Sequence, residues 1–156
     1  MKQVNLLDDL IERDRRKIMY QGQEGYFIRY SNNMNMILIE VNDKTLEIPG
    51  GMIDEGESSH ESAIRELLEE TSFQPANVIK LGKISPNPAL FTNYVVSYVA
   101  YDVKKITYKH KEENIKTKLI PVSEVNGLIM AGKINHALVI AAFFLLDNRD
   151  KNAHNA

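Results

Sequence analysis

Three glutamates, Glu66, Glu69 and Glu70, stand at i, i+3 and i+4 in the stretch "SHESAIRELLEETSF" from Ser59 to Phe73. A helix turns 100° per residue, so it gathers these carboxylates on one side. Like charges so placed repel, which leaves two readings: a solvated acidic face, or a site for something positive. Hard divalent cations such as Mg²⁺ take a few carboxylates, keep waters, and use substrate phosphates at their remaining positions. Two neighbouring features favour the cation. Arg65 can pair with Glu69 at i+4 or with Glu57 from the preceding loop, which would fix side chains that otherwise wander. That loop, "PGGMIDEGE", places glycines where the backbone must turn tightly or approach another group closely.

The elements that must position these residues are marked in the chain. Ser58 followed by Glu61 is a capping-box pattern that starts the helix. Ile64, Leu67, Leu68 and Thr71 cluster opposite the glutamates, so Leu67 and Leu68 are expected to dock the helix while the carboxylates point away from the core. Upstream, helical spacing runs through residues 5 to 19. "GYFIRY", "NMILIEV" and "KTLEI" read as strands, with a turn at Ser31 to Asn33. Downstream, "VIKLGKI", "TNYVVSYVAYDV" and "IKTKLIPV" read as strands, and "SPNP" breaks the chain after the first of them. Two helical segments, about 123 to 131 and 135 to 147, close the chain, with Gly132 as the stop between them. Interleaved strands and helices of this kind predict an α/β fold with a mixed sheet covered by helices.

Composition narrows the classes of function. With 156 residues and no repeat or linker-like tract, the chain is read as one domain, 1–156. Cysteine is absent, which excludes disulfides, zinc–thiolate sites and cysteine nucleophiles. A formal charge of −2 gives no whole-chain argument for nucleic acid or an anionic membrane. The most apolar run, Ala137 to Leu146, has ten residues, about half of the ~20 that span a bilayer. The N-terminal sixteen residues carry charges throughout, unlike a signal peptide, so a cytoplasmic protein without a membrane partner is expected.

Gly51, Glu57 six positions on, and then Arg65-Glu66-Leu67-Leu68-Glu69-Glu70, closed by Phe73, resemble the signature of the Nudix hydrolases over residues 51–73. Six fixed matches arise by chance on the order of once in 10⁵ chains of this length. Ser72 stands where the family usually has glycine. The resemblance implies an α/β/α sandwich with a mixed β-sheet and a loop–helix–loop catalytic motif. It also implies Mg²⁺-dependent hydrolysis of the pyrophosphate bond of a nucleoside diphosphate derivative, with Mn²⁺ as the alternative ion. Carried over by position, Glu66 and Glu70 are the main metal ligands, and Glu69 is a further ligand or helps to activate water. The Gly50 carbonyl is a further metal contact, while Glu57 and Arg65 hold the acidic side chains in place.

Pro88, fifteen residues beyond Phe73, resembles the mark of the ADP-ribose and nucleotide-sugar pyrophosphatase branch, although a turn built by Pro86 and Pro88 explains it as well. "LEIPGG" and "AGKINHALVIAAFFLL" resemble the approach to the motif and the C-terminal helix of that branch. The branch often draws a general base from a late loop, here "KHKEENIK" with Glu112 and Glu113, which also reads as a charged hairpin tip. Lys104, Lys105, Lys109 and Lys111 suit either a phosphate-bearing substrate or a solvated basic edge. Tyr94, Tyr98 and Tyr101 suit either base stacking or a core, and His60 reads as a surface residue. Residues 1 to 47 do not clearly show the exchanged N-terminal β-region of ADP-ribose-specific members, and a homodimer stays open. A small-molecule substrate is the expected partner; dinucleoside polyphosphates, RNA 5′ ends and a non-catalytic nucleotide sensor are the alternatives.

Overall fold

The computed structural model describes residues 23–29, 35–41, 45–90, 92–109 and 115–153. The predicted helix over 5 to 19, the turn at Ser31 to Asn33, and Lys111, Glu112 and Glu113 lie outside these residues. The chain runs β1 (Gln23–Arg29), β2 (Asn35–Val41), β3 (Thr45–Glu47), β4 (Gly50–Met52), α1 (Ser59–Thr71) and β5 (Phe73–Gln74). It continues with β6 (Asn77–Ile84), β7 (Tyr94–Tyr101), β8 (Lys104–Lys105), β9 (Ile115–Pro121), α2 (Val122–Met130) and α3 (Ala137–Ala153). No helix among the described residues is long and apolar enough to cross a membrane.

The strand β7 explains the layering. Its six central residues, Val95 to Ala100, are buried in an unbroken run, as expected of a strand covered on both faces. Because side chains alternate along a strand, Val96, Tyr98 and Ala100 pack with Ala63 and Leu67 of α1. Val99 faces the other way, into a larger core with Leu38, Ile48, Val139, Phe143 and Leu146. The result is helix, sheet and helix in layers, with α1 on one side and α3 on the other.

The sheet between them has the order β4-β1-β7-β6, with β1 parallel to β7 and the outer pairs antiparallel, so it is mixed as expected. The strands β3, β2 and β9 form a second, antiparallel sheet instead of extending the first, and β5 pairs with β8. At Gly82, where the β6–β7 register shifts, an added Cβ would lie 3.0 Å from Leu145 Cδ1, so the glycine lets α3 approach the sheet.

Both predicted helix boundaries have a visible cause. Ser58 and Glu61 form the reciprocal capping box. At the end of α2, Gly132 has φ +69°; its N–H bonds the Ile129 carbonyl at 3.0 Å, and the Lys133 N–H bonds that of Leu128 at 2.9 Å. This is the Schellman arrangement, so Gly132 is the stop.

Ser72 ends α1 in the left-handed region, at φ 60° and ψ 29°, with its N–H on the Leu68 carbonyl at 2.8 Å. An L-residue is strained there and glycine is not. Ser72→Gly is therefore expected to stabilise the protein by about 0.5–1 kcal/mol. Urea unfolding measures this, and a lower midpoint for the variant would contradict the assignment.

Candidate active site

The loop from β4 to α1 and the helix itself close on one another through Arg65. Its Nε and Nη2 donate to the two oxygens of Glu57, at 2.9 and 3.0 Å. Nη2 also donates to the Met52 carbonyl at 3.0 Å, and Nη1 donates to Glu66 Oε1 at 2.9 Å and Glu69 Oε2 at 3.1 Å. Both pairings expected for Arg65 are made at once, because the planar fork offers five N–H donors in fixed directions. Asp54, 3.6 Å away and mostly exposed, is a peripheral partner. The loop is further pinned by the Asp54 N–H, which donates to Glu57 Oε2 at 3.1 Å.

The glutamate edge differs from its expected exposure. Glu66 and Glu70 are buried, 9% and 6% exposed, and only Glu69 keeps an intermediate exposure. The physical reason is β4, whose glycines run along this side of α1. The Gly50 N–H donates to Glu70 Oε2 at 2.9 Å. At Gly51, an added Cβ would stand 2.4 Å from Glu66 Oε1, so only glycine leaves room for that carboxylate. The docking face is corrected too. Leu67 is fully buried with Ala63, whereas Leu68 is only half-buried.

These groups suit a hard divalent cation. The glycine cradle holds two buried carboxylates, Glu66 and Glu70, beside Glu57 and Glu69, so four carboxylates gather around the Arg65 guanidinium, which bonds three of them. Among the described residues no three acidic or histidine side chains converge into a ready cage. Mg²⁺ needs no such cage, since it binds through one or two carboxylates and completes its shell elsewhere.

The remaining candidates separate. The β6–β7 connection bearing Pro88 leaves the sheet from the register row Met52, Glu24, Val95 and Ile84, so it shares one end of the sheet with the signature loop. Tyr94 lies at that end, 43% exposed, with Lys83 Nζ 4.0 Å from its ring centroid. Tyr98 is core, its hydroxyl 2.7 Å from Ser59 Oγ and its ring edge-on to the exposed His60. Tyr101 is partly buried and accepts a bond from Arg149 at 3.1 Å. Lys104 and Lys105 are exposed on β8, beside the C-terminal end of α1. The Gly50 and Asp54 amides, the Met52 carbonyl and Ser62 were not anticipated as parts of this arrangement. Backbone groups and a buried serine carry no distinctive sequence pattern.

Hydrogen bonds from Arg65 hold the Glu57 carboxyl below its ordinary value of 4.5. Protonating Glu57 therefore favours the unfolded chain. Its contribution is complete above the unfolded pKa and is lost as pH falls through the lower, folded one. Glu61, held low by Ser58, acts in the same direction. Stability should thus drop on acidification below about pH 4.5, and Glu57→Gln should show a smaller drop than wild type. Urea unfolding between pH 7 and pH 3 tests this; parallel curves for the two proteins would remove the Arg65–Glu57 pair as a cause.

Residues 26–143 match the NUDIX domain family model. The chain is 32% identical over 97 residues to the ADP compounds hydrolase NudE of Escherichia coli (strain K12), covering 62% of this chain and 52% of that protein. It is 38% identical over 61 residues to a Bacillus subtilis (strain 168) protein provisionally named an 8-oxo-dGTP diphosphatase, covering 38% of this chain and 41% of that one. The chain thus spans about half the length of these curated relatives or less. Among solved structures, an ADP compounds hydrolase superposes with a TM-score of 0.73 at 26% identity, over 88% of this chain and 78% of its own. A NUDIX hydrolase from Nitrosomonas europaea gives 0.67 at 17% identity, over 82% and 89%, a likeness of fold alone. Signature geometry, layered α/β fold and family model agree: the chain belongs to the Nudix family.

Proposed function

We propose that this chain, read as one Nudix domain over 1–156, is a Mg²⁺-dependent pyrophosphohydrolase of nucleoside diphosphate derivatives. Its leading substrates are ADP-ribose and nucleotide sugars. One observation carries the reading: the acidic edge of α1 is complete and is held by Arg65 and Glu57 against the β4 glycines. A curated relative and a solved structure, both named as ADP compounds hydrolase, support the substrate class, as does Pro88 at the signature end of the sheet.

In this reading Glu66 and Glu70 hold the cation, with Mn²⁺ as a substitute, and the Gly50 carbonyl adds a contact. When bound, the cation neutralises the diphosphate and makes a water more acidic for in-line attack on phosphorus. Glu69, in reach of Arg65 but less buried than its neighbours, is a further ligand or accepts a proton from that water. Arg65 and Glu57 are positioning groups: the guanidinium neutralises part of the carboxylate charge and fixes where the remaining oxygens face. The β4 glycines exclude solvent from the inner side of Glu66 and Glu70, which strengthens any electrostatic contact made there.

Glu70→Gln keeps an acceptor for the Gly50 N–H but loses the charge, so the fold is expected to persist while turnover falls at least about a hundredfold. The assay is hydrolysis with Mg²⁺ across ADP-ribose, nucleotide sugars, dinucleoside polyphosphates, 8-oxo-dGTP and triphosphorylated RNA. Near-wild-type turnover of the variant would overturn the metal assignment, and inactivity of the wild type on every substrate would favour the nucleotide sensor. Glu112 and Glu113 are assigned as candidates for the general base. One of their alanine variants is expected to lose about 10²–10⁴-fold in kcat, the usual worth of such a group. Unchanged kcat in both would take that segment out of the mechanism.

A further inference from the structure

We infer that Ser62 is a positioning residue that sets the direction of the Arg65 fork; the role rests on the hydrolase reading. Ser62 is completely buried on α1, and its backbone N–H is already used within the helix, bonding the Ser58 carbonyl at 3.0 Å. Its hydroxyl donates to the Met52 carbonyl at 3.1 Å. Arg65 Nη2 donates to that same carbonyl at 3.0 Å and lies 3.4 Å from Ser62 Oγ. A carbonyl oxygen has two lone pairs, so Met52 accepts from Ser62 and from Nη2 at once, and the longer contact between Nη2, whose two N–H groups already serve Glu57 and Met52, and the hydroxyl closes a triangle.

That triangle governs more than one contact. Ser62 lies three residues before Arg65, on the same side of the helix. It therefore ties the last residue of β4 to the helix turn from which Arg65 departs. With Nη2 fixed between Met52 and Glu57, the plane of the guanidinium is set, and Nη1 is left facing Glu66 and Glu69. Serine is otherwise a poorer helix residue than alanine. A buried serine just past the first turn of the helix thus sacrifices propensity for a hydroxyl, and here that hydroxyl ends on the candidate site.

The inference separates positioning from packing. Ser62→Ala removes one atom and raises helix propensity, so thermal stability should change by only a few degrees. If the hydroxyl orients the fork, the Arg65 Nε–H should exchange with solvent about three- to tenfold faster by NMR, and kcat should fall by a similar factor with KM unchanged. Ser59→Ala is the control. It removes a serine hydroxyl from the same helix, one bonded to Tyr98 and not to Arg65, and should leave exchange at Arg65 as in wild type. Unchanged Arg65 exchange in Ser62→Ala, or equal acceleration in Ser59→Ala, would overturn the role. The exchange measurement needs no turnover, so it decides the place of Ser62 even if the wild-type chain hydrolyses nothing.

Discussion

The site depends on one cation, the guanidinium of Arg65. It touches the loop, the end of β4 and two members of the glutamate edge together. A lysine is a point charge with three rotatable donors and cannot hold four acceptors in fixed directions, whereas arginine's fork can. Its bonds to carboxylates are charge-assisted and partly shielded, since Glu57 and Glu66 side chains are 15% and 12% exposed. Its hydrogen bonds to Glu57 first, and then those to Glu66 and Glu69 with their negative charge, push the pKa of Arg65 upward against its burial, so the clamp stays protonated whenever the protein is folded.

Against that clamp stands an arrangement that local rules disfavour. The last turn of α1 contains Glu69 and Glu70 and no basic residue, although the negative end of the helix dipole prefers cations there. Glu66 and Glu70 are buried as well, which adds a desolvation cost. Backbone answers part of this through the Gly50 N–H, and Arg65 answers part through Glu66. Dipole, burial and mutual repulsion thus all weigh against carboxylates at these positions, a conflict of local rules of the kind found where a fold serves a site.

How far the sequence reveals this depends on whether a cause is local. The capping box, the Gly132 stop, the strained Ser72 and the strand spans of β2, β6 and β9 are each set within a few residues, and they are legible. The burial of Glu66 and Glu70 is not, because it comes from β4, a strand as short as three residues and rich in glycine that shows no period of its own. Leu68 illustrates the same limit. A helical wheel treats it as equal to Leu67, but among the described residues the buried cluster of Val96, Tyr98 and Ala100 beneath α1 takes in Ala63 and Leu67 and not Leu68. The division of the strands into two sheets likewise rests on pairings distant in sequence, such as β2 with β9.

The two cores divide the labour of this architecture. The larger one, beneath α3, ties β2, β7 and the C-terminal helices together through fully buried Leu38, Ile48, Val99, Ile134 and Leu146. Among the described residues the smaller one beneath α1 has five buried members, two of them alanines, with Ile64, Val78 and Val103 packed against them. The alanine at position 63 lets α1 lie close to β7, and apolar contacts of this kind fix the distance of a helix from a sheet more firmly than its position along its axis. The polar bonds at the β4 edge, from Ser62, Arg65 and Glu70, supply that restraint. The groups gathered at the candidate site therefore also help to set the register of the helix that carries them, which couples the geometry of the site to the docking of α1.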